Sequence, residues 1–206
     1  MYKIPYFTEQ NDQLIVEFMQ TNSFALITGF GEKYPVGTQL PLEIFYKDGK
    51  LYLSGHLMKK TDHHIAFEAN ENVLVVFTGP HCYISASWYN NPQSASTWNY
   101  MTVHAKGTIK FLDNEATYQA IKAVTNKYEG TETIAAFNNM PAEYVQQHLK
   151  AIVGFTIEVQ SIENVFKLSQ NKTNSEKINI IEKLRVRNNN DDDLQIANEI
   201  EKQLNK

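Results

Sequence analysis

Sulfur chemistry is nearly absent from this sequence, which has one cysteine, Cys82, in 206 residues. A lone thiol excludes a disulfide framework and any site built from several thiolates. Its apolar neighbours predict an inert buried side chain rather than a nucleophile. Arginine is almost as scarce. The only two, Arg185 and Arg187, lie in a polar C-terminal stretch, so no helix carries the basic residues that read DNA. A net charge of −4 and a pI of about 5.9 give no field that would draw the chain to nucleic acid or to an anionic membrane. No run of about 18 apolar residues occurs, and the first residues lack the basic-then-apolar pattern of a secretory leader. The expectation is a cytoplasmic protein with no membrane contact. Also missing are a Gly-x-Gly-x-x-Gly turn, a P-loop, a nucleophile elbow and a carboxylate pair spaced for glycoside chemistry.

Aromatic residues, by contrast, make up 12% of the chain. They concentrate in residues 79–104, where Gly79-Pro80-His81-Cys82-Tyr83-Ile84-Ser85-Ala86-Ser87-Trp88-Tyr89 and Thr97-Trp98-Asn99-Tyr100-Met101-Thr102-Val103-His104 flank a short polar loop. Such density suits a pocket for a flat ligand with polar edges. It equally suits an aromatic-rich hairpin that fills its own core.

Apolar spacing predicts a helix capped by Thr8, with Leu14, Ile15, Phe18 and Met19 on one face. Strands are expected over 24–30, 40–46 and 51–56, the last two joined by an Asp48-Gly49 turn. A short helix over 59–69 precedes Val73-Leu74-Val75-Val76-Phe77, an unbroken apolar run expected to be covered on both faces. Strands follow over 82–85 and 98–112, the latter bending at Gly107. Two helices come next. One has Tyr118, Ile121, Val124 and Tyr128 on its inner face; the other opens at Pro141 and turns Tyr144, Val145, His148, Leu149 and Ile152 inward. A last strand covers 154–159. Six or seven short-spaced strands with inserted helices indicate an α+β protein on an antiparallel barrel. Composition turns polar after Asn171, so residues 1–171 are read as the domain and 172–206 as a polar, weakly helical extension. Within it, weak amphipathic helices are expected over 175–184 and 191–204, and residues 188–193 read as a solvated linker rather than a site.

Three clusters are candidates for chemistry. Ser54-Gly55-His56-Leu57-Met58-Lys59-Lys60 runs from a strand end toward a helix start, where free N–H groups and lysines can hold a phosphate. An exposed lysine pair beside a cap is the alternative. His56, His63, His64, His81 and His104 fall within fifty residues and admit a haem or metal reading, but no carboxylate or thiol spacing accompanies them. Asp62-His63-His64 resembles a short phosphoesterase signature, yet the strand-borne aspartates that it needs are missing. Phe166-Lys167-Leu168-Ser169-Gln170-Asn171, just past the last strand, can rim a polar ligand or form a chain-end turn.

Taken together, the blocks resemble the PaiB family of FMN-binding negative transcriptional regulators, in the flavin-binding split-barrel superfamily. They are Met1-Tyr2-Lys3-Ile4-Pro5, Leu40-Pro41-Leu42, Gly55-His56, Phe77 to Ser85, Trp88-Tyr89, Thr97-Trp98-Asn99-Tyr100 with Val103-His104, Ala151 to Phe155 and Lys167 to Asn171. The resemblance implies a six-stranded antiparallel split barrel with inserted and flanking helices, similar to pyridoxamine phosphate oxidase. It also implies a homodimer with FMN at the subunit interface. By that similarity His56 and Lys59 fall where the phosphate is gripped, and Tyr83, Ser85, Trp98 and Asn99 face the ring or its edges. Lys167, Ser169, Gln170 and Asn171 close the site. The chain departs from the family pattern with Gln39 in place of a histidine, and with Ala86 and Ser96 in place of prolines. No catalytic residue is identifiable. The alternatives are a flavin-dependent oxidoreductase acting on a small substrate and a haem- or metal-binding split barrel.

Overall fold

The computed structural model describes residues 1–2 and 4–204. Lys3 of the opening block and the last two residues of the extension lie outside them. The described residues form seven strands in the order β2-β1-β5-β6-β7-β4-β3: β1 (Phe24–Phe30), β2 (Pro35–Pro41), β3 (Glu43–Lys47), β4 (Lys50–Met58), β5 (Asn72–Ile84), β6 (Thr97–Phe111) and β7 (Ile152–Lys167). Six helices accompany them: α1 (Asp12–Thr21), α2 (Asp62–Ala69), α3 (Asn114–Glu129), α4 (Ala142–Leu149), α5 (Asn174–Arg187) and α6 (Asp191–Leu204). The pairs β1/β2, β1/β5, β3/β4 and β4/β7 are antiparallel.

Seven strands replace the six expected, and β2 is the addition. Its sequence, Pro-Val-Gly-Thr-Gln-Leu-Pro, has little β propensity, and only Leu40 is buried. It forms because β1 pairs with it residue for residue, from Phe24 with Pro41 to Phe30 with Pro35. The continuous strand expected over 40–46 breaks at Leu42, whose N–H donates to the Ser23 carbonyl. The β3–β4 turn is as expected, with φ of 50° at Asp48 and 77° at Gly49.

The chain divides into two compact units. One comprises residues 23–76 and 104–162; the other comprises 1–22, 77–103 and 163–206. In the first, Ile27, Leu53, Val75, Phe155 and Ile157 form a fully buried core. The sheet curls there. A Cβ at Gly55 in β4 would meet Leu40 and Leu42 at the end of β2, as well as Phe155. Burial along β5 alternates rather than running on both faces, because its apolar stretch lines one side of that curl. α3 docks through Thr117, whose hydroxyl accepts from the Gly154 N–H at 3.0 Å. Tyr128 and Tyr144, expected to point inward, are exposed: α3 buries only Thr117 and α4 only Leu149.

In the second unit α1 is capped by Asn11 rather than Thr8, and its Phe18 lies where a side chain at Gly79 would be. Asn164 accepts from the Glu9 N–H and donates to its carbonyl, tying the first residues to β7. α5 opens with a capping box between Thr173 and Glu176. α5 and α6 bury Ile180, Ile181, Leu184, Ile196, Ala197 and Ile200. Within the run 188–193, Asn188 to Asn190 are exposed and non-helical as expected, but α6 begins at Asp191, and Asp193 is 2% exposed.

Candidate functional site

β5 and β6 place the aromatic candidates. Tyr83 and Trp98 meet edge to face at 6.1 Å, with the His81 ring 6.2 Å from Trp98. Trp98 is 54% exposed and Tyr83 43%, so this pair does not fill a core and presents its rings to the surroundings. Their neighbours alternate inward along each strand: Cys82 and Ile84 in β5, Asn99 and Met101 in β6. Burial and the nearby Asp193 carboxylate push the Cys82 thiol up to about 12, which makes it inert.

The polar candidates are bonded within the chain, two of them to each other. Asn99 is fully buried and donates through Nδ2 to Ser169 Oγ at 2.9 Å, while its Oδ1 has no partner. Ser169 takes a left-handed backbone conformation (φ 62°) to make that contact. Gln170 folds back on its own turn, accepting from the Leu168 N–H and donating to the Phe166 carbonyl. Asn171 is exposed in the same turn. Lys167, at the end of β7 rather than past it, donates to the Thr97 hydroxyl and lies 5.8 Å from the Phe7 ring. Burial lowers its pKa. Ser85 caps the Ala86–Trp88 turn through the Ser87 N–H.

The two proline-replacing residues bond to each other. The Ala86 N–H donates to Ser96 Oγ at 2.9 Å, closing the loop between β5 and β6. Proline at 86 would have no such donor.

His56 and Lys59 belong to the other unit. His56 lies on β4 opposite Gly154, half-buried, and burial holds its imidazole below the ordinary 6.5. Lys59 follows β4, with its N–H bonded to the Ala151 carbonyl and its Nζ 3.4 Å from the Leu149 carbonyl. It lines a cleft of about 770 Å³ with Tyr118, Phe137, Val145 and Leu149. The start of α2 is satisfied by its own chain: Thr61 accepts from the His64 N–H, and Asp62 from the His63 N–H. Lys59, not the helix N-terminus, is therefore the anion-binding candidate here. The histidines do not converge. His63 contacts Asp62, the His64 ring lies tilted against Phe111, and among the described residues no group of three or more metal-ligating side chains comes together.

Sequence reasoning missed Arg187 and Asp193. The guanidinium donates to both Asp193 oxygens and, through Nη1, to the Tyr83 carbonyl at 2.8 Å, and lies 5.1 Å from the Trp88 ring. Its hydrogen bonds hold the Asp193 carboxyl below the usual carboxylate range. The one available signal was that an arginine-poor chain keeps an arginine six residues before an aspartate.

A curled antiparallel sheet of this kind is also found in solved flavin proteins. The FAD and heme binding protein from Mycobacterium smegmatis superposes with a TM-score of 0.59 at 13% identity, over 78% of this chain and 73% of that one. The flavocytochrome Anf3 from Azotobacter vinelandii gives 0.56 at 11%, over 81% and 72%. At these identities the likeness is one of fold. In sequence, the family described as "Putative FMN-binding domain" matches residues 1–161, and the chain belongs to it. It is 36% identical to PaiB, the "Protease synthase and sporulation protein PAI 2" of Bacillus subtilis (strain 168), over 92% of this chain and 91% of that protein. Membership assigns FMN or a related flavin as cofactor.

Proposed function

We propose that this protein is a homodimeric, PaiB-like flavin-binding regulator whose ring-binding surface is the Tyr83–Trp98 pair. The observation that carries this reading is the exposure of two adjacent large aromatic rings within the segment matched to the FMN-binding family. An isoalloxazine needs flat apolar faces and polar groups at its edges. Trp98 and Tyr83 are proposed for the first, and Ser85 and Lys167, a hydroxyl and an ammonium from the same unit, for the second; these residue types fit the group. Asn99, Ser169 and Gln170 bond among themselves or to backbone, and act by holding the surface in place. His56 and Lys59 are proposed separately, on the family resemblance alone, as the phosphate contacts. Bound flavin supplies one- or two-electron redox chemistry, while the chain supplies orientation and electrostatics.

Regulation by direct DNA reading has little support. The chain is acidic, and its two arginines are engaged with Glu201 and Asp193. The regulatory role is assigned instead to a partner or metabolite that senses flavin occupancy.

The visible spectrum of the purified protein, followed by titration with FMN, tests the reading. Flavin absorbance or saturable uptake supports it. A Soret band, or no uptake, rejects it. Lys59→Ala should weaken FMN about 10- to 100-fold, since a charge-assisted bond is worth roughly 1.5–3 kcal/mol. An unchanged dissociation constant would remove Lys59 from the site.

A further inference from the structure

Arg187 links the C-terminal helices to the aromatic surface. Its Nε and Nη2 hold the Asp193 carboxylate, which is 2% exposed and also accepts from the Asn189 N–H at 3.1 Å. Its Nη1 is directed elsewhere, to the carbonyl of Tyr83. Its guanidinium carbon lies 5.1 Å from the Trp88 ring. Three acceptors in two directions plus an aromatic ring call for a planar fork, and an ammonium group cannot reproduce that set. Around it, α5 is bonded to the same segment. Asn179 donates to the Trp88 carbonyl at 2.6 Å, and Glu176 accepts from the Asn90 N–H at 3.2 Å.

We infer that Arg187 is a positioning residue: it locks the end of β5 onto the α5–α6 hairpin and thereby holds Tyr83 in register beside Trp98. The inference rests on the proposed flavin reading for its functional consequence, but not for its structural one. The C-terminal helices are in this view part of the ligand-binding apparatus, which they reach through the Tyr83 backbone carbonyl.

The test compares Arg187→Lys with Arg185→Ala. The first keeps a positive charge beside Asp193 but loses the fork. The second removes the exposed Arg185–Glu201 pair from the same hairpin and is the control for general loosening. Asp193→Asn, which preserves shape, is a second variant should the lysine variant fold poorly. Two readouts are taken on the full chain. In flavin-free protein, amide exchange over Cys82–Ser85 should quicken at least tenfold in the Arg187 or Asp193 variant and stay unchanged in Arg185→Ala. With FMN, the dissociation constant should rise about tenfold and the visible circular dichroism of bound flavin should change in the same variants. Wild-type exchange over Cys82–Ser85 in both Arg187→Lys and Asp193→Asn overturns the positioning role. If exchange quickens but no protein takes up FMN, the flavin reading fails while the link between Arg187 and β5 stands.

Discussion

A methyl group at position 107 would lie 2.3 Å from the Glu158 carbonyl oxygen and 2.8 Å from the Ile157 side chain. The first of these atoms is backbone, so relief requires β6 or β7 to shift. Gly107→Ala should cost about 1–3 kcal/mol, read as a lower denaturant midpoint with an unchanged slope; an unaltered midpoint would mean that the two strands part easily there. His56 carries a pH signature. Its folded pKa lies below 6.5, so as pH falls through 6.5 the unfolded chain takes up a proton that the folded chain refuses. Stability should therefore decline on acidification. His56→Gln should flatten the fall in melting temperature between about pH 6.5 and 5; equal slopes in the two proteins would count against a buried neutral imidazole.

Among the elements, those with local chemistry were the easiest to read from sequence. Asp48-Gly49 supplies its own positive φ angles, and the Ile15, Phe18 and Met19 stripe follows from helical spacing alone. β2 was not legible, because an edge strand of proline, glycine and polar residues is created by its partner's hydrogen bonds and not by its own pattern. The site shows the same division. The density of aromatics over 79–104 pointed to a ligand pocket or a self-filling hairpin, and the family resemblance singled out Tyr83 and Trp98. The Asn99–Ser169 bond joins residues 70 apart in the chain, and the Arg187–Tyr83 bond joins residues 104 apart; no spacing rule announces either. One element carries its own prediction. Thr173 closes the first turn of α5 by accepting from the Glu176 N–H, while Glu176 accepts from the Thr173 N–H. Thr173→Ala should lower stability by about 0.5–2 kcal/mol in thermal or denaturant unfolding. A loss under a few tenths would show that packing of Ile180 and Leu184, not the cap, sets the start of this helix.

For the molecule as a whole, the proposed dimer has a visible apolar surface to use. Phe24 and Phe30, each 68% exposed, project from one face of β1 opposite Pro41 and Pro35 of β2. Exposed rings on one strand face can meet their own copies when they lie beside a two-fold axis. Light scattering should give twice the chain mass for the wild type and a single chain mass for Phe24→Lys/Phe30→Lys with its circular dichroism unchanged. A double variant that stays dimeric would move the interface elsewhere.

The unit containing Tyr83 and Trp98 is assembled from three separated lengths of chain, and the last of them, residues 163–206, lies wholly past the end of the family match at 161. A fragment trimmed to that homology boundary would strand Asn99 without Ser169, and Glu9 without Asn164. The end of the family match is thus not a place where this polypeptide can be cut, and expression of residues 1–161 alone should give an insoluble or molten product.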